Sequence, residues 1–157
     1  MNTIQLHIKS LDFDDGIIGC ESIWGNIYIE IDGTCFPDNE WYDAVSSVLE
    51  MWIDCVIEFV RKKKEKCVLF FMDGPYEMQV RVHENNVIFI ACKERGGEVY
   101  AEGMADFETF VNLFLNCTNE FLEKCRLNVR DFEKTTLYSK LSSSYFKLER
   151  YHRQLTR

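Results

Sequence analysis

Three histidines, seven cysteines and a run of aspartates near the start are the residues whose types suit them to chemistry. The cysteines, at 20, 35, 55, 67, 92, 117 and 125, form no C-x-x-C pair, and their number is odd, which a secreted disulfide scaffold avoids. They read as reduced thiols. Cys55, Cys67, Cys92, Cys117 and Cys125 fall inside apolar patterns and are expected to act as small buried hydrophobes. His7, His83 and His152 lie in a strand pattern, at a strand end and in the tail, and no two Cys or His residues stand at a zinc spacing. A Cys–His nucleophile would need tertiary proximity that the sequence does not signal.

The DFDDG run at 12–16 invites a calcium reading. From Asp12, however, an EF-hand loop needs Gly at 17 and a bidentate Glu at 23, where this chain has Ile17 and Ile23. Asp12, Asp14 and Asp15 with Gly16 instead suit a solvated turn. Neither G-x-G-x-x-G nor G-x-x-x-x-G-K-[ST] occurs, so no phosphate cradle of those kinds is present, and no G-x-S-x-G elbow presents a serine. Asp73 and Glu77 would serve as an acid–base pair only if one were buried against a second carboxylate, and nothing marks that. No catalytic residue, cofactor or metal is assigned.

Charge is the asymmetry that remains. The chain carries −8 overall, which disfavours nucleic acid as a partner, and residues 1–60 hold twelve acids and one base, a net −11. Bases gather in RKKKEK at 61–66 and in 140–157. On the first helix, Asp43, Glu50, Asp54 and Glu58 are expected to line the face opposite Trp41, Val45, Val48 and Trp52. Like charges four apart cost a helix a few tenths of a kcal/mol, about 0.2–0.5. With Asp12, Asp14 and Asp15 they form the candidate surface for a basic protein partner; the alternative is a solvated face that serves solubility.

The elements that must position these residues follow from periodicity. Ile4, Leu6, Ile8 and then Ile27, Ile29, Ile31 alternate with polar neighbours as half-buried strands do, with another strand expected around 16–23. The segment from Asp38 to Lys64 changes to steps of three and four, with Asp38 as cap and Glu40 in the first turn. Three strands over 67–72, 76–83 and 87–92 follow, separated by DGP and ENN turns; the middle one alternates cleanly, its two neighbours are expected to be covered in part on both faces, and a short edge strand is expected at 99–102. A second helix runs from about 106 to 126. A helical tail, 131–157, bends at Ser142–Ser144.

Together these predict a single α+β domain over 1–157: a largely antiparallel sheet of six or seven strands, two long helices and the tail packed on it. No basic and apolar leader opens the chain, and its longest apolar run, CVLFFM at 67–72, is far short of a membrane span. A cytoplasmic protein with no membrane partner is the expectation.

FPDNEWYDAVSSVLEMWIDCVIEFV, CVLFFMDGPYEMQVRV and ADFETFVNLFLNCTNEFLEKC, within residues 34–125, resemble segments of small bacterial α+β proteins, some similar to immunity proteins of polymorphic toxin systems. The resemblance rests on packing and turn motifs. It implies a non-enzymatic cytosolic protein that binds and blocks a cognate toxin. A competing reading is a small enzyme or ligand-binding domain whose pocket joins His83, Cys92, Asp73 and Tyr76. A third is self-association through Tyr138, Leu141, Tyr145, Leu148 and His152, with Phe146 and Tyr151 off that stripe; packing within a monomer is preferred to a homodimer.

Overall fold

A computed structural model describes residues 1–13 and 22–155. Among the described residues the chain is α+β, with two four-stranded antiparallel sheets and three helices. In the first sheet β1 (Ile4–Asp12) pairs with β2 (Trp24–Ile31), and β2 pairs on its other side with both β3 (Thr34–Phe36) and β4 (Tyr42–Asp43). The second sheet is a meander of β5 (Lys66–Phe70), β6 (Tyr76–Glu84), β7 (Val87–Glu94) and β8 (Val99–Asp106). Eight strands in two sheets thus replace the single sheet of six or seven. The strand expected around 16–23 falls mostly outside the described residues.

Local chemistry sets the hairpins. Asp32 and Gly33 both have positive φ, 48° and 88°, as do Asn85 and Asn86, the pattern that two-residue turns need if the flanking strands are to keep their twist. The sheets meet where Asn2 N donates to Met104 O at 3.1 Å and Met104 N donates back to Asn2 Oδ1 at 2.7 Å.

Helix α1 (Val45–Arg61) begins later than its apolar steps predict. Residues 41–43 join the sheet instead: Ile27 N donates to Trp41 O at 2.9 Å, and Tyr42 and Asp43 pair with Asn26 and Gly25. Asp38 is therefore not the cap. Its carboxylate accepts from Glu40 N at 2.8 Å in a local turn, and the first turn of α1 carries no acid. Ladder bonds along β2 pair backbone groups that an extra helical turn would have left unpartnered at its start.

Helix α2 (Phe107–Asn128) is capped by Asp106, whose carboxylate accepts from Thr109 N at 2.8 Å. That bond first, and the Thr109 hydroxyl next, hold the Asp106 carboxyl below the usual carboxylate range. Helix α3 (Thr136–Leu155), after a 3-10 turn at Phe132–Lys134, runs without a break through Ser142–Ser144, where a bend was expected. The serines fit because the Ser142 hydroxyl donates to Tyr138 O within the helix at 2.5 Å, and Ser144 donates to Asp54 of α1 at 2.9 Å.

The layers are sheet, then α1 and α2, then α3. Helix α1 lies on β2 and β5, α2 on β1, β7 and β8, and α3 packs on α1 and α2. Being covered twice explains why α1 buries Leu49, Ile53 and Ile57 as well as Val45, Val48, Trp52, Val56 and Phe59, a wider arc than one packing face needs. The outer face of the second sheet, in contrast, is open: Phe70, Val99 and Met104 are exposed there, and for Phe70 of β5 this goes against the expected cover on both sides. Among the described residues no helix is long and apolar enough to cross a membrane.

Candidate partner interface

Asp43 is fully buried, which removes it from the exposed acidic face it was expected to share. As the last residue of β4 it points inward, and four donors converge on its carboxylate. Trp41 Nε1 and Met72 N reach Oδ2 at 3.1 Å, Asp73 N reaches it at 3.2 Å, and Ala44 N reaches Oδ1 at 2.8 Å. The side chain thereby ties loop 37–41 to loop 71–75. Loop 95–98 joins them through Arg95 N, which donates to Pro75 O at 2.7 Å.

Aromatic rings fill the junction. Trp41 meets Tyr76 edge-on with centroids 5.1 Å apart, Phe36 meets Tyr76 and Tyr100 at 5.6 and 5.9 Å, and Trp24 stacks on Tyr42 at 5.6 Å. Gly74, at φ +68°, lets loop 71–75 turn against them, since a Cβ there would lie 3.1 Å from the Trp41 ring and 3.0 Å from that of Tyr76. Tyr42, Tyr100, Trp24 and Met72 remain 41–56% exposed, a concentration of large side chains at one end of the molecule.

Acids surround these rings. Asp38, Glu40, Asp73 and Glu98 are exposed and Glu94 is half-buried. Tyr100 donates to Glu94 Oε1 at 2.8 Å, which raises the phenol above its usual range. Arg95, the one base in the three loops, lies over the Phe70 ring at 5.0 Å. Asp12 belongs to the same neighbourhood, since it is the register partner of Trp24. Asp14 and Asp15 lie outside the described residues.

The α1 acids are less available than their sequence positions suggest. Glu58 pairs with Lys62 at 2.7 Å and Arg61 at 3.1 Å, Asp54 accepts from Ser144 of α3, and Glu50 is half-buried. Chemically, the loop end offers flat aromatic area and carboxylates to a cationic protein surface. The signal for it in the sequence is a pattern met three times, in PDNEWY, DGPY and GGEVY: an acidic turn followed by an aromatic residue as the next strand begins.

The four residues considered as a pocket are not brought together. Cys92 is buried on the inner face of β7, Asp73 is exposed in its loop, and His83 stands seven residues along β6 from Tyr76, roughly 23 Å away at strand rise. Burial pushes the Cys67, Cys92 and Cys117 thiols up to about 12, the reverse of what a nucleophile needs. Among the described residues no three of His, Cys, Asp and Glu cluster as a metal site would require. Comparison of the chain with protein-family models, with curated proteins and with solved structures finds no match in any of the three.

Proposed function

We propose that this chain is a non-enzymatic binding protein that captures a basic protein partner on its aromatic and acidic loop end, acting in the cytoplasm as an immunity protein that blocks a toxin. The observation that carries the reading is buried Asp43, which ties loop 37–41 to loop 71–75, where Tyr42 and Met72 stand exposed beside Asp38, Glu40 and Asp73; loop 95–98, next to exposed Tyr100, joins them through Pro75. Exposed rings held rigidly lose little entropy on binding, and the carboxylates steer a cationic surface toward them. The resemblance over residues 34–125 supports the toxin class of partner and does not name the toxin.

The test is co-expression with the product of the adjacent reading frame, with cell growth and then affinity as readouts. Wild type restores growth and binds with an affinity that falls as salt rises. Tyr42→Ala with Tyr100→Ala weakens binding at least about tenfold, roughly 1.4 kcal/mol. Asp38→Asn with Glu40→Gln and Asp73→Asn flattens the salt dependence. Wild-type affinity in both sets would remove the loop end as the interface. Charge reversal at Glu50, Asp54 and Glu58 then asks whether the α1 face binds instead.

A further inference from the structure

Two cations stand side by side on the open outer face of the second sheet of a chain that is acidic overall. Lys66 of β5 and Arg81 of β6 are register partners, and neither has an ion pair among the described residues. Val82 N donates to Glu65 O and Phe71 N to Tyr76 O, so bonded pairs alternate along these strands and put Lys66 and Arg81 at a non-bonded position, where cross-strand side chains stand closest. Two cations directly opposite each other oppose folding. An anion set between them would offset that repulsion.

Beside them runs a groove of about 440 Å³ crossing the sheet over Val68, Gln79, Phe89 and Ala91 toward Val99 and Glu102. The Arg81 guanidinium lies over the Phe89 ring at 4.9 Å, beside the groove. Val68, Ala91 and Phe89 are the apolar part of the floor, with Gln79 between Val68 and Ala91, and the backbone of the central strands β6 and β7 is paired on both sides.

We infer that this groove binds a single-chain amphiphile with one anionic head, a carboxylate or a phosphate ester, the head between Lys66 and Arg81 and the chain across Val68, Ala91 and Phe89. A peptide fits less well, because its amides would lose water on a floor with no backbone partners to offer. Glu102 at the far end repels a second anion, so the ligand has one head. From β5 to β8 is three strand spacings, roughly 14 Å, which sets the length of the chain.

The site is separate from the loop end, and its test is independent of the partner. Isothermal titration with laurate and with dodecyl phosphate should show saturable binding of one molecule per chain, and the tighter of the two identifies the head. Lys66→Gln or Arg81→Gln should weaken it at least about tenfold. Ala91→Phe, which fills the floor without touching the cations, should abolish it, while Phe146→Ser on the far helix layer should leave it unchanged. Thermal melts check that each variant folds; if Ala91→Phe does not, the Gln variants still decide. The assignment is overturned if dodecyltrimethylammonium binds as tightly, if the double Gln variant keeps wild-type affinity, or if neither anion binds.

Discussion

A buried carboxylate that ties two loops together is worth more to the structure than to any partner it never touches. Removing Asp43 leaves the Trp41 indole N–H and the amides of Met72 and Asp73 without their acceptor. Asp43→Ala is accordingly expected to cost roughly 3 kcal/mol, the penalty for buried donors left unpaired, seen as a lower urea midpoint with an altered near-ultraviolet tryptophan signal. Cysteine reactivity gives a second check at this scale. With the Cys92 and Cys117 thiols raised to about 12 by burial, 5,5′-dithiobis(2-nitrobenzoate) at pH 8 should label them about a hundredfold more slowly in the native chain than in urea. Fast native labelling of either would mean that the core opens far more often than its packing implies.

Each helix depends on something outside its own apolar stripe. The cap of α2 is a titrating group whose folded pKa is lowered, so its contribution is complete above the unfolded value near 3.8 and is lost as pH falls through the folded one. Asp106→Ala should therefore cost about 1 kcal/mol at pH 7, with the gap to wild type closing below pH 3.8 in parallel urea titrations. Helix α3 seals the helix layer through Leu137, Leu141 and Leu148, the last two fully buried. Its expected cover was the sheet, but it rests on α1 and α2. A chain ending at residue 135 exposes the outer side of α1, and a broad, early melt by calorimetry is the predicted result; an unchanged melt would show that α3 adds nothing to the fold.

For the molecule as a whole, charge is sorted by surface. Carboxylates and aromatic rings gather at the loop end, while Lys66 and Arg81 stand side by side on the open face of the second sheet. The apolar stripe of α3 is spent on α1 and α2, so light scattering at 0.15 M salt should return the mass of one chain. A dimer would direct attention to exposed Phe146 or to the open sheet face.

Periodicity and turn chemistry determined much of this protein by themselves. The α+β class, the antiparallel hairpins with Asp32–Gly33 and Asn85–Asn86 turns, α2 with its Asp106 cap and the helical tail all follow from residues close in sequence, because local pattern records which side of an element is apolar. It does not record what covers that side. Only the tertiary structure decided that residues 41–43 join β2 rather than α1, since the competing ladder comes from a strand some fifteen residues earlier. The same holds for Asp43, which by spacing belongs to an exposed helix face and by long-range hydrogen bonds to the interior. It holds again for the acidic and aromatic turns, each visible in the sequence, which come together because Asp43 ties loop 37–41 to loop 71–75 and Arg95 N ties loop 95–98 to Pro75.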